Sequence, residues 1–517
     1  MEETRTGNSI KNSGATIFGR LATLIMEFVL RTVLIKTLGI EYGGISSLFT
    51  DILQVLSLME LGIGSAIIFA LYKPIAEKNY PQINALMRFY KTAYNIIAAG
   101  VFILGLCCVP LLDSIVKDIP DVKEDIRLIF LLYVAASSCS YLVAYKETLI
   151  RASQQSRIVV RIEMTVQIVF MGLESLVLFI FHEYIMYLVL RIVTYLVRNL
   201  LISIEVKKRF PEVKFKGEER LGQEDKKKLI KGVKAMALYK ISGVVLNGTD
   251  SIIISIFLGT SQVGIMGHFR MISNCITNLS NKVWVAILPS VGNMAAIDDD
   301  NKQYDVFKKV NLGSFCFSAF CSIAMFNLCN PLVTVWLGAD YTVSTITSFA
   351  IAFNMYLFLT ILPFQTFRDA NGLFVQGKYR PVLMSVINIA LSLALVKPCG
   401  MFGVLIATPI SRLMTQTWFD PYVVYKYVFK KSPRPYYKEF LLHSVITLLT
   451  GAAIWGILEI SHVGGGFIRL GFGIVLCVTV PMLVYYLLFR KNQEFIQFVQ
   501  YVKRMVIRLV KRKKGNR

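Results

Sequence analysis

The chain has 517 residues, 55% of them hydrophobic and only 17% charged, with a mean hydropathy of +0.57. Soluble domains carry about 25% charged residues, so this composition excludes an ordinary soluble protein, and it excludes disorder, which needs low hydrophobicity. The remaining oddity is charge: 56 Lys and Arg against 33 Asp and Glu leave a formal +23, which in a soluble protein would point to nucleic acid or another polyanion.

Runs of roughly 20 predominantly apolar residues mark membrane helices. They occur at 15–37, 46–71, 87–112, 126–145, 162–181, 184–204, 235–257, 263–288, 310–329, 344–364, 381–396, 400–419, 440–460 and 467–489, fourteen in all. The first run carries Arg20, Glu27 and Arg31, which no secretory signal would hold, so no cleavable leader is expected there. Cytoplasmic loops concentrate Lys and Arg. With the N-terminus placed inside, 40 of the 56 basic residues fall in inside segments, three (Lys117, Lys123, Lys397) fall outside, and thirteen lie within spans. Both termini are therefore expected in the cytoplasm, and most of the +23 records orientation rather than a nucleic-acid partner.

The outside loops are short, the longest being 113–125 and 330–343, which leaves no room there for a catalytic domain. The inside segment 205–234 holds Lys207, Lys208, Arg209 and the run Lys226 to Lys228, with Pro211 and Gly217 between them. It reads as a flexible, solvated linker. In the C-terminal 28 residues Phe495, Phe498, Val499, Val502, Val506 and Leu509 recur at helical spacing among Lys503, Arg504, Arg508 and Lys511 to Lys514. That is an amphipathic helix suited to membrane lipids of the anionic cytoplasmic leaflet.

Shifting the chain by 220 residues lays LGIEYGGISSLF (38–49) on LGTSQVGIMGHF (258–269) without a gap, with Leu38/Leu258, Gly39/Gly259, Gly44/Gly264, Ile45/Ile265 and Phe49/Phe269 identical. Arg20 falls on Lys240. A repeat of six spans, an even number, keeps one orientation, which is an architecture of secondary transporters. The expected fold is an all-α polytopic membrane protein of about fourteen helices, with two parallel six-helix lobes and two further helices. The expected division is 1–204 for the first lobe, 205–234 for the linker, 235–439 for the second lobe, 440–489 for the added pair and 490–517 for the tail.

The spans hold thirteen basic and seven acidic residues, a net +6. A charge at the bilayer centre costs about 2.5–3.5 kcal/mol on insertion scales, so these residues need a wet or protein-lined setting. Arg20, Glu27 and Arg31 fall within about 40° of one another on a helix. Glu163 and Glu174 share a face with Gln167, Arg191 and Arg198 share another, and Arg270, Asn274, Asn278 and Asn281 fan across the eighth span; Lys240, Asn247 and Asp250 mark the seventh. Structural ion pairing between helices is one reading of this set. A cationic substrate cavity formed by Arg20, Glu27, Arg31, Arg191, Arg198, Lys240, Arg270 and Asn274 is the sharper one, suited to a phosphate-bearing guest because Arg offers bidentate contacts. Glu60, deep in the second span, with Glu163 and Asp250 as rivals, is a candidate for coupling to an H+ or Na+ gradient.

Other chemistries lack residues. The nine cysteines show no C-x-x-C pair, the four histidines are dispersed, and no G-x-x-x-x-G-K-[ST] occurs, so no cofactor, metal site or P-loop nucleotide site is expected. Asp298, Asp299 and Asp300, followed by Asn301, read as a solvated turn.

The stretch LGIEYGGISSLFTDILQVLSLMELGIGSAI, the following LYKPIAEKN (71–79) and Tyr145-Lys146-x-x-Leu149-x-x-Ala152-x-Gln154 resemble bacterial polysaccharide transporters. These are the O-antigen and capsule-type flippases of the multidrug/oligosaccharidyl-lipid/polysaccharide exporter superfamily. The resemblance covers roughly residues 10–160 by motif and the rest by topology. It implies movement of a polyprenyl-diphosphate-linked oligosaccharide across the bacterial cytoplasmic membrane, with Arg20 and Arg31 at positions where the family tends to hold basic lumen residues. Lipid II-type flippases and multidrug exporters share the architecture. A membrane-embedded glycan polymerase or glycosyltransferase is the alternative of another class.

Overall fold

A computed structural model describes residues 5–496 apart from 61–62, 117–121, 216–220, 224–226, 228–247, 298–299, 374–375, 378, 462–463, 465 and 494; for residues 5–18 and a few further positions, Arg20 among them, it describes the backbone alone. The described residues form helices and turns without a strand. This is an all-α polytopic membrane protein of about fourteen spanning helices, and nine described segments are individually long and apolar enough to cross a bilayer. Large apolar side chains lie exposed along them, among them Leu441, Leu449 and Met482. In hydrocarbon such residues need no burial, whereas every backbone polar group must be satisfied within the helix.

The chain divides into two compact units, residues 1–267 and 268–517. In the first, α1 (Arg5–Leu38), α2 (Ile40–Leu56), α3 (Ile63–Ala76), α4 (Tyr80–Cys108), α5 (Ile126–Tyr141), the short α6 (Ala144–Ala152), α7 (Ser156–Phe181) and α8 (Tyr184–Arg209) are followed by α9 (Gly248–Leu258) and the start of α10 (Thr260–Ile297). Helix α1 packs along α7, α7 against α8, α5 against α4 and α8, and α3 against α4 and α6. Local chemistry sets the ends. Asn79 caps α4 by accepting from the Gln82 N–H at 3.2 Å, and Asp125 caps α5 by accepting from the Arg127 N–H at 2.8 Å. His182 adopts a left-handed conformation that ends α7 two residues before α8 begins.

The expected single span 46–71 is corrected: it consists of α2, a 3-10 turn over Ser57–Glu60, and α3. The linker is corrected at its start as well. Phe210, Val213, Phe215 and Leu221 pack on the core of the first unit around Met87, Tyr90 and Leu149, and the Lys214 N–H donates to Asn84 Oδ1 at 2.8 Å.

The second unit contains the remainder of α10, then α11 (Asp300–Trp336), α12 (Thr345–Ala370), α13 (Arg380–Met414), α14 (Gln416–Val424), α15 (Arg434–Ile460) and α16 (Phe467–Phe489). Helix α13 is broken at Gly400 (φ 58°, ψ −139°), which separates the two expected spans 381–396 and 400–419. An aromatic core of Phe307, Phe315, Phe364, Phe367, Tyr425, Phe429 and Tyr436 holds α11, α12, α14 and α15 together. Helices α15 and α16 pack on α11 through Ile323, Ile454, Leu458 and Cys477. All nine cysteines are free. Asp300 begins α11, while Asp298 and Asp299 lie outside the described residues, as do residues 497–517 of the tail.

Candidate functional site

The 220-residue repeat has a structural counterpart. Gly39 and Gly259, equivalent by that shift, are both single-residue breaks with positive φ (102° and 94°), and each N–H donates to the carbonyl four residues back, Ile35 at 3.0 Å and Ser255 at 3.2 Å. Only glycine takes this conformation without strain. Beyond these breaks α2 and α10 cross at a second equivalent pair. A Cβ on Gly44 would overlap the Thr260 carbonyl oxygen, and one on Gly264 would stand 2.8 Å from the Ile40 carbonyl oxygen. The bare backbones therefore meet, and this is why α9 and the first turns of α10, assigned by the repeat to the second lobe, pack within the first unit. Ser251 on α9 donates to the buried Asp51 on α2, and Ser255 Oγ donates to the Ile115 carbonyl at 2.8 Å.

Arg31 reaches into this crossing. Its guanidinium donates to the Gly43 carbonyl (3.1 Å), Ser47 Oγ (3.3 Å) and the Gly264 carbonyl (3.3 Å). These acceptors fix the guanidinium at the crossing of α2 and α10. Tyr133, Tyr184 and Tyr187 lie within its electrostatic reach. The Tyr133 hydroxyl donates to Ser46 Oγ (2.8 Å) and shares a hydrogen bond with Tyr184 (3.0 Å). Arg191 on α8 joins the same group, donating to the Tyr187 hydroxyl at 3.1 Å and lying 5.4 Å from the Tyr133 ring centroid. Arg191 makes no ion pair among the described residues. Two arginines of the expected set thus converge on one tyrosine cluster of the first unit, and Glu174 beside them accepts from Thr194 at 3.4 Å.

Arg198 and Glu163 behave otherwise. Arg198 pairs with Glu163 and with Glu147, both at 2.5 Å, while Arg151 pairs with Glu147 at 2.7 Å and Glu163 at 3.6 Å. Two residues expected in separate roles, substrate contact and ion coupling, are therefore partners in one neutral network joining α6, α7 and α8. Glu60 sits in the 3-10 turn and accepts from the Tyr94 hydroxyl at 3.3 Å. Asp250 is buried in the first turn of α9, and Glu27 is half-buried on α1. Arg270 is half-buried and Asn274 exposed on α10 in the second unit. Lys240 and the Arg20 side chain lie outside the described residues.

Sequence reasoning missed a third cluster, in the second unit. Asp420, fully buried, accepts from Arg368 (3.0 Å) and Arg380, while Arg412 donates to Asn354 (3.0 Å) and Gln416 (3.1 Å). Asp420 adjoins an apolar run, and that was its only signal. Among the described residues no group of His, Cys, Asp and Glu could hold a metal ion.

The two motifs quoted above shape turns. LYKPIAEKN ends α3, with Lys78 left-handed and Asn79 capping α4; in the second motif Tyr145 is buried, Lys146 Nζ donates to Ser203 Oγ at 2.9 Å, and left-handed Gln154 follows the end of α6.

The helical architecture is that of a polytopic membrane protein. The chain belongs to the polysaccharide biosynthesis protein family, whose model matches residues 9–294. Its fold is similar to that of the lipid II flippase MurJ in an inward closed conformation, with a TM-score of 0.67 and 12% identity over 93% of this chain and 99% of that one. It is also similar to an inward-facing multidrug resistance MATE family transporter of the MOP superfamily (TM-score 0.62, 11% identity, 76% of this chain and 91% of that one) and to the Vibrio cholerae MATE transporter VcmN (0.58, 12%, 83% and 100%). No curated protein sequence matches the chain.

Proposed function

We propose that the protein moves a polyprenyl-diphosphate-linked oligosaccharide from the inner to the outer leaflet of the bacterial cytoplasmic membrane, for cell-surface polysaccharide synthesis. The observation that carries this reading is the pairing of Arg31 and Arg191 around a tyrosine cluster in a chain of the polysaccharide biosynthesis family. Guanidinium groups offer bidentate hydrogen bonds to a diphosphate, and phenols and hydroxyls suit the sugars behind it. Transport proceeds by alternating access, the lipid tail staying in the bilayer and the polar headgroup crossing on cationic groups, for which Arg20, Glu27, Lys240, Arg270 and Asn274 are the further candidates from the sequence. Coupling to H+ or Na+ rests on Glu60, Asp250 or Glu163, the last of which is paired with Arg198.

The test is genetic and chemical. Deleting the gene should cause one lipid-linked glycan to accumulate on the inner leaflet, and the wild-type gene should clear it. Arg31→Gln/Arg191→Gln, present in the membrane at the wild-type level, should leave it accumulated; clearance by that variant would overturn the reading. Lipid II as cargo is the second reading, favoured by the likeness to MurJ along 93% of the chain; accumulated lipid II in the deletion strain would select it. A multidrug exporter of cationic compounds fits poorly with arginines as the converging charges.

A further inference from the structure

Lys146 belongs to the second sequence motif, yet the proposed transport gives it no part. It stands on α6, which packs against both α4 and α8. Its Nζ donates to Ser203 Oγ on α8 at 2.9 Å and lies 5.9 Å and 5.7 Å from the ring centroids of Tyr145 and Phe215. A hydroxyl and two aromatic rings therefore hold this half-buried ammonium in place. Lys91 on α4 and Lys207 near the end of α8 lie within its electrostatic reach.

Three like charges from three helices thus meet, and none of them makes an ion pair among the described residues. The nearest carboxylates along the chain are engaged elsewhere, Glu147 with Arg151 and Arg198, and Glu205 with Arg209 at 2.8 Å. A half-buried ammonium set among like charges is costly unless an anion joins them.

The surroundings choose between a soluble anion and a lipid. Met186, Val189, Val193, Leu196, Leu200 and Ile204 are all exposed on α8 and fall within about 80° of one another around the helix. Lys207 lies inside that arc, at the end that the distribution of Lys and Arg assigns to the cytoplasm. Arg191 and Arg198 lie about 160–180° from Lys207, so α8 turns the tyrosine cluster to one side and this stripe to the other. An apolar stripe that ends among lysines matches a lipid, with its chains along the stripe and its phosphate at the ammonium groups. A zwitterionic headgroup would bring its own cation among the lysines, which favours a headgroup of net negative charge. We infer that Lys91, Lys146 and Lys207, with Ser203, form a binding site for the headgroup of an anionic phospholipid of the inner leaflet. The site lies across α8 from the proposed transport residues and does not rest on the identity of the cargo.

The full chain, purified in a neutral detergent and titrated with lipids under native mass spectrometry, should bind phosphatidylglycerol in preference to phosphatidylcholine. Lys146→Gln and, separately, Lys207→Gln should each weaken phosphatidylglycerol binding about fivefold, the weight of one basic residue at an anionic leaflet. Lys208→Gln removes the same charge from a neighbouring position outside the arc and should bind as wild type does. Equal binding of the two lipids, an equal loss in Lys208→Gln, or unchanged binding in Lys207→Gln overturns the site; the exposed Lys207 keeps this test valid should Lys146→Gln fail to fold. Displacement of phosphatidylglycerol by inorganic phosphate would make this a site for a soluble anion, and a preference for polyprenyl phosphate at equal concentration would give it to the cargo. Either result overturns the phospholipid assignment. Phosphatidylglycerol binding is expected whether or not deletion of the gene accumulates a lipid-linked glycan, so the two proposals stand or fall separately.

Discussion

The arginines of this protein are held in two ways. Arg198 and Arg151 in the first unit, and Arg368 and Arg380 in the second, face carboxylates, so their charge is cancelled where it sits. Arg31 and Arg191 in the first unit are oriented by carbonyls, hydroxyls and phenols. The first arrangement fastens helices to one another. The second sets guanidinium groups among polar, hydroxyl-rich neighbours of the kind that also suit a polar guest. Sequence spacing treats the two kinds alike; only the folded chain shows which groups each arginine meets.

Substitutions can break or sharpen this contrast, and the largest stability effect is expected at Asp420. Asp420→Ala leaves Arg368 and Arg380 buried without their shared carboxylate, and should cost about 3–5 kcal/mol in thermal unfolding of the detergent-purified protein. A loss below about 1 kcal/mol would show that this cluster does not fasten the second unit. Gly44→Val drives a side chain into the Thr260 carbonyl and should cost about 3 kcal/mol, with transport falling alongside stability; unchanged cross-linking between α2 and α10 would contradict a backbone contact there.

The network in the first unit is partly exposed, so its effect is smaller. A double-mutant cycle on Glu163→Gln and Arg198→Gln should give a coupling of about 1–2 kcal/mol, and zero coupling would return both residues to the functional candidates. Arg191→Gln inverts the pattern: stability should change by less than about 1 kcal/mol, while clearance of lipid-linked glycan falls at least tenfold. A variant that unfolds instead would place Arg191 with the structural arginines. The exposed Glu205–Arg209 pair, one turn apart at 2.8 Å, marks the floor, with Glu205→Ala expected within about 0.5 kcal/mol of wild type.

Much of the fold was legible because hydrophobic length and Lys/Arg placement are local signals. The second span was harder to read: apolar residues run on through Glu60, so hydrophobicity alone does not show the 3-10 turn over Ser57–Glu60. The linker misled because its composition is polar, yet Val213 and Leu221, isolated in that polar context, find the core of the first unit. Identical glycines 220 positions apart suggested a repeat, but that Gly44 and Gly264 face each other needed the folded chain.

The sequence by itself determined the membrane class, the approximate number and the expected orientation of the spans, the repeat and the family motifs, since each follows from composition, period or motif along a continuous stretch. The tertiary structure decided which groups each buried charge meets. Arg198 meets Glu147 across 51 residues, Arg368 meets Asp420 across 52, and Arg31 meets Gly264 across 233. Those meetings depend on which helix faces which, and side-chain period along one helix carries no information about its neighbour.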